Sequence, residues 1–181
     1  VEGHRDITNK VLRAIGEAEK RFDEDKLRML RAIRFAADFE FEIESRTMAA
    51  IRCHATKISQ VSVERISGEL AKMLVHPRRQ KALSLLRDSQ LYSEVFVELA
   101  ELGELGWHRL EALIQNAKVD HFGIAIALSA WAHHGQEAGP IIKNLTKRLK
   151  LSNDEQNRAD HAIKYGPVLA GAVSYTHLTL P

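Results

Sequence analysis

The sequence predicts an all-α chain, an elongated array of antiparallel helices. Three observations carry that expectation. The stretch Asp23–Ala37 places its charged and apolar residues at helical spacing. From Glu44 onward the same period recurs in segment after segment. The breaks between segments are short, which favours neighbouring helices over long crossovers.

Residues 1–21 read as a connector, with a helical turn over Asp6–Lys10 and a short strand or helix end at Val11–Gly16. The helix that follows organises the chain. Glu24, Arg28 and Arg31 fall at i, i+4 and i+7, one polar stripe with Asp25 beside its start. Met29, Leu30, Ile33, Ala36 and Ala37 form the opposite, apolar face. Arg34 continues the arginines at the edge, and Asp23 suits the N-cap. The same pattern describes an amphipathic surface helix with a Glu-to-Arg pair. Two details go further: the repeated cations are all Arg, whose planar fork suits phosphates and base edges, and Phe35 and Phe39 project on the Arg side. An enclosed arginine stripe needs an anionic or planar partner.

Phe39–Glu44 alternates strictly and puts three carboxylates on one side if extended. It is too short for a metal-binding strand, and a turn between helices is the expectation. Helices are expected over residues 45–58, 62–76, 78–90, 91–102, 107–118, 120–133, 136–149 and 152–165. Ser62 is placed to cap the second of these and Pro77 ends it. Glu64 and Glu69 lie on its amphipathic pattern. The apolar run Ala125–Ala132 with Trp131 reads as core, and Ser152 or Asn153 as a cap. Lys143, Lys147, Arg148 and Lys150 form a small basic cluster, suited either to RNA phosphates or to a solvated helix face.

Composition excludes several classes of function. At 181 residues, 45% hydrophobic and 28% charged, the chain is ordinary for a globular protein, and no run reaches the length of a membrane span. A single cysteine, Cys53, cannot form an internal disulfide and fits a reducing, cytoplasmic setting. A net charge of +2 is compatible with nucleic acid without demanding it. The nine histidines lack zinc-site spacing, so no metal site is expected and exposed or capping roles are the default. No Gly-rich phosphate loop and no Ser/His/Asp set is present, so no catalytic residue is expected in this chain. The start, Val1–His4, has no initiator Met and reads as an internal break in a longer chain. The last nine residues, Val173–Pro181, resemble a translated sequencing adapter and are set apart from the fold.

Glu24-Asp25-x-x-Arg28-x-x-Arg31-Ala32-x-Arg34-Phe35 resembles the nucleotide-selecting motif of the class II tRNA nucleotidyltransferases (CCA-adding enzymes) and bacterial poly(A) polymerases. Gly3, Asp6 and Arg13 match the segment by which that family enters its neck domain, and Ser62-x-Glu64-Arg65-Ile66-x-x-Glu69-Leu70 matches a block that braces the selecting helix. Two positions depart from the common form: Lys26 stands where Pro is usual, and Glu40 where a helix-ending Gly is usual. The resemblance implies a neck over residues 22–102 and a helical, RNA-binding body over 103–172, with the catalytic head outside this chain. It implies that Asp25 and Arg28 meet the base edge of CTP or ATP, that Arg31 and Arg34 hold the nucleotide or its phosphates, and that Glu24 orients Arg28. It implies tRNA as partner, and Mg²⁺ held by carboxylates of the head, so that this chain alone is inactive. Poly(A) addition is the alternative within the family. A helical RNA-binding or scaffold module is the alternative outside it, and would have no need for Asp25 and Arg28 to face a cavity. Oligomeric state is not legible.

Overall fold

The computed structural model describes residues 2–99 and 102–164. The adapter-like tail and the first residue lie outside them. Helices dominate, and the chain divides into two compact units, Val1–Val97 and Glu98–Pro181. Among the described residues no helix is long and apolar enough to cross a membrane.

The first unit is built around α3. Helices α1 (Glu2–Thr8) and α2 (Ala18–Glu24) precede it, with a two-residue strand β1 (Val11–Leu12) between them. The expected single helix from Asp23 is in fact two. Asp25 adopts an extended backbone, φ −149° and ψ 103°, which ends α2 and lets α3 (Leu27–Phe39) begin afresh. The cap is also a correction: the Asp25 carboxylate, not Asp23, accepts from the Leu27 N–H at 3.2 Å. Asp23 turns instead to Lys57. Met29, Leu30, Ile33, Ala36 and Ala37 are all buried, the face that helical spacing indicated.

α3 closes with Glu40 in the left-handed region (φ 56°), while Phe41 N–H reaches back to the Ala36 carbonyl at 2.9 Å. That is the geometry in which glycine is favoured at a helix end. The chain then forms β2 (Glu42–Ile43), parallel to β1 with Val11 opposite Glu42. So Phe39–Glu44 holds a short strand rather than a plain turn, because the partner is Val11–Leu12, some thirty residues back. Glu44 caps α4 (Ser45–His54) by accepting from Thr47 N–H at 2.8 Å, and a 3₁₀ turn (Ala55–Gln60) follows.

Helix α5 (Val63–Val75) packs against α3, as does α6 (Arg79–Asp88). Ser62 occupies the N-cap of α5, but its hydroxyl makes no capping bond. The helix expected over 91–102 is broken. α7 (Leu91–Val95) stops at Phe96, and a 3₁₀ turn covers Val97–Leu99, with β-branched Val95 and Val97 flanking the break. Phe96 and Leu99 are buried on either side of it.

The second unit contains α8 (Glu104–Asn116), α9 (Phe122–His134), α10 (Ala138–Arg148) and helical residues 153–164. α9 is buried nearly all round and packs on both α8 and α10. Trp131 is the exception to the expected core run, since it remains partly exposed. Ser152 caps the last helix by accepting from Glu155 N–H at 3.3 Å. Glu155 in turn accepts from Gly123 N–H at 2.6 Å. A Cβ on Gly123 would stand 2.0 Å from the Glu155 carbonyl oxygen, so only glycine permits this approach.

Two substitutions test these backbone arguments. Glu40→Gly should raise stability by about 0.5–1 kcal/mol, relief of a left-handed residue less glycine's greater unfolded freedom; denaturant unfolding measures it. Gly123→Ala should lower stability by about 1–3 kcal/mol through overpacking against backbone that cannot yield. The Gly123 result is read from the thermal midpoint.

Candidate functional site

The turn between α2 and α3 brings Glu24 and Arg28 together although they sit on different helices. The Arg28 Nη1 group donates to Glu24 Oε2 at 2.5 Å and to the Arg21 carbonyl at 2.9 Å. Those two bonds use both Nη1 hydrogens. The Nε and Nη2 edge meets no protein acceptor among the described residues and remains a planar donor fork. The Arg28 hydrogen bond, against a smaller opposing effect of burial, holds Glu24 below its ordinary carboxylate range.

Asp25 is not bonded to Arg28. Arg65 on α5 spans its carboxylate, Nη2 lying 3.2 Å from Oδ1 and 3.0 Å from Oδ2. With the Leu27 N–H also on Oδ1, the outer oxygen Oδ2 carries one bond and keeps room for another. Partial burial pushes the Asp25 pKa up, but Arg65, the Leu27 amide and the Arg31 charge outweigh it and hold the group ionised below its ordinary range.

Further along α3, Arg34 donates from Nε to Glu69 Oε2 at 2.7 Å and from Nη1 to Asp38 at 3.3 Å. Arg31 approaches the other Glu69 oxygen at 3.7 Å, and Lys72 donates to it at 3.3 Å. Only 5% of the Glu69 side chain is exposed. Its burial raises the pKa, and the Arg34 bond and charge, then Lys72, more than reverse this. The arginine stripe therefore has a structural use that the sequence analysis did not see: a buried carboxylate must be neutralised. Arg34 is mostly enclosed, whereas Arg31 is 46% exposed.

The Arg34 guanidinium lies 4.3 Å over the Phe35 ring, and Phe35 stacks on Phe39 with centroids 6.1 Å apart. These rings, with Ile7, Val11, Leu12 and Ile15, line an open apolar cleft of about 830 Å³. Arg13, at its edge, is bonded to Asp6 at 3.1 Å. A second cleft lies between Glu17 and Arg46. Neither cleft includes Asp25, Arg28 or Arg31.

The basic cluster of the second unit is only partly what its sequence suggested. Arg148 is committed to Glu98, with bonds of 2.6 and 2.7 Å, while Lys143 and Lys147 are exposed along α10. Lys150 follows that helix in a left-handed conformation. Two histidines depart from the exposed default. His54 is buried, with Nδ1 at 3.1 Å from the Ala50 carbonyl. His133 is lowered to about 4 by burial and by its neighbour His134. Among the described residues no group of three or more His, Cys, Asp or Glu could hold a metal ion.

A family model described as "Probable RNA and SrmB-binding site of polymerase A" matches residues 40–102. The CCA-adding enzyme of Enterococcus faecalis is 34% identical over 173 residues, 86% of this chain and 42% of that enzyme. That of Streptococcus pyogenes serotype M5 is 38% identical over 152 residues, 83% of this chain and 36% of its own length. Over most of its length the chain is similar to CCA-adding enzymes. It spans less than half the length of these two relatives. The structure of the Bacillus stearothermophilus CCA-adding enzyme in complex with CTP superimposes with a TM-score of 0.71 and 25% identity, over 100% of this chain and 49% of that one. The Thermotoga maritima CCA-adding enzyme complexed with tRNA shares the fold, with a TM-score of 0.63 and 23% identity over 96% of this chain and 43% of its own.

Sequence reasoning gave α5 a supporting role without saying which side chains supply it. They are Arg65 and Glu69, one turn apart, opposite Asp25 and the Arg31/Arg34 pair. Their i, i+4 spacing was the available signal.

Glu69 also sets a pH dependence. Its folded pKa is depressed, so its contribution is complete above the unfolded value of about 4.3 and is lost as pH falls through the folded value. Glu69→Gln should therefore lower stability at pH 7 by about 2 kcal/mol, less than a fully buried pair because Arg34 keeps Asp38. The variant should also flatten the fall in stability between pH 5 and pH 3 (about the carboxylate range). Denaturant titrations across that range check both.

Proposed function

We propose that this chain supplies the nucleotide-selecting face and an RNA-binding part of a tRNA CCA-adding nucleotidyltransferase, which adds CMP and AMP to the 3′ end of tRNA. The neck would be residues 22–102 and the body 103–172. The observation that carries this reading is the pairing of an unengaged Arg28 donor fork with an unfilled acceptor place on Asp25. Cytosine and adenine each present an exocyclic amino donor beside a ring-nitrogen acceptor. A carboxylate accepts from the first and a guanidinium donates to the second. Uracil and guanine present a carbonyl oxygen where the amino group would be, and a carboxylate repels it.

Glu24 and the Arg21 carbonyl fix Arg28 by its far nitrogen, so the fork is held before the base arrives. Arg31, the more exposed of the next two arginines, suits a phosphate; Arg34 acts from behind it through Glu69. Exposed Lys143 and Lys147 suit the RNA backbone, with Lys150 nearby and Arg148 held by Glu98. Among the described residues no three or more His, Cys, Asp or Glu gather at one place, and no metal-dependent step is assigned to them. Nucleotidyl transfer would need carboxylates and a triphosphate-binding turn from elsewhere in a protein of the relatives' length, and this chain alone should not extend tRNA.

Poly(A) addition is the second reading, favoured by the description of the family model that covers residues 40–102. CTP separates the two, since only CCA addition uses it.

In the full-length protein that carries this chain, Arg28→Ala should relax the preference for C and A over U and G by roughly 1–3 kcal/mol, the range of one side-chain-to-base pair. Arg31→Ala should weaken nucleotide binding without changing base choice, because a phosphate contact carries no base information. The measurement is the efficiency of incorporation of the four nucleotides on a tRNA lacking its 3′ end. If Arg28→Ala keeps the parent ratio, selection belongs to other residues.

A further inference from the structure

Asp25 stands in the extended turn between α2 and α3, not on a helix, so neither helix fixes its side chain. Its carboxylate is held by two donors alone among the described residues. The Leu27 N–H is local and touches one oxygen, which leaves the plane of the group free to turn. Arg65, forty residues on, brings one nitrogen, Nη2, against both oxygens, and together with the Leu27 bond on Oδ1 it completes the hold on the group. The direction of the remaining acceptor place on Oδ2 follows from it.

The pair is solvent-facing, with the Arg65 side chain 49% exposed and that of Asp25 26% exposed. Such pairs contribute little to stability. Orientation is a use they can still serve, because hydrogen bonding to a base amino group depends steeply on angle. Arg65 also reaches the site from the helix whose next turn carries Glu69, which anchors Arg34 and Arg31. One face of α5 thus touches α3 at both its entrance and its middle.

We propose that Arg65 is a positioning residue for base choice: by spanning the Asp25 carboxylate it aims Oδ2 at the amino group of the incoming nucleotide. This rests on Asp25 being the carboxylate that meets the base. Arg65 does not itself touch the nucleotide.

The test compares Arg65→Ala, Arg65→Lys, Asp25→Ala and the double variant Asp25→Ala/Arg65→Ala in the full-length protein that carries this chain. kcat and KM are measured for each of the four nucleotides, and the thermal midpoint for each variant. Arg65→Ala should lower discrimination for C and A by roughly tenfold, the lower end for losing one base-edge pair. The change should appear as a raised KM for CTP and ATP, with kcat and the thermal midpoint close to the parent's. Arg65→Lys keeps the charge on a shorter stem that does not place a nitrogen where Nη2 stands, and should recover only part of the loss. In the Asp25→Ala background, removing Arg65 should change nothing further. If Asp25→Ala itself leaves the ratio intact, the reading of Asp25 has failed. If Asp25→Ala loses selection while Arg65→Ala keeps it, the reading stands and the positioning role of Arg65 is overturned. Full recovery by Arg65→Lys, or a loss confined to kcat, overturns it too.

Discussion

The constraint on which the first unit depends is the burial of one carboxylate. Glu69 sits between α3 and α5 with its side chain almost wholly covered, and an isolated ionised carboxyl there would be very costly. Arg34, Arg31 and Lys72 surround it. The spacing of arginines along α3 is therefore fixed by packing before any ligand is considered. Their charge is partly used up: Arg34 is enclosed by Glu69 and Asp38, Arg31 is half-exposed, and Arg28 reaches past the helix start to Glu24.

A consequence is that the polar stripe does three separate jobs. At its inner end it neutralises a buried acid. At its outer end the break at Asp25 turns what would be one helix into two, and that break orients the site. Because Glu24 closes α2 while Arg28 lies in the first turn of α3, their ion pair clamps the turn. It also consumes one nitrogen of the guanidinium and leaves the other edge outward. In the proposed function this division is what makes the surface selective: the support contacts and the base contacts fall on different atoms of the same side chains.

Much of this was legible in the sequence. The apolar face of α3 followed from its period, and the dense match of residues 24–35 indicated the family. The break at Asp25 was not legible, because Glu24, Asp25 and Lys26 are all compatible with a helix and the side-chain partner of the turned-out Asp25 is Arg65, forty residues away. The β1–β2 pairing was missed for the same reason, since two residues carry no period and the partner is remote. Glu40 shows the opposite case. Its departure from glycine could be noted in the sequence, but only the left-handed backbone gives that departure a cost. In the second unit, the basic residues read as a cluster until Glu98 was seen to hold Arg148.

The most direct measurement of the central claim is a crystal structure of the full-length protein that carries this chain, bound to CTP. The account predicts Arg28 Nε and Nη2 on the cytosine N3 and O2 edge, and Asp25 Oδ2 on the N4 amino group, each at about 2.7–3.2 Å. Glu24 should remain on Arg28 Nη1, and Arg65 on Asp25. A cytosine bound away from this turn, or an Arg28 that leaves Glu24 in order to reach it, would contradict the account.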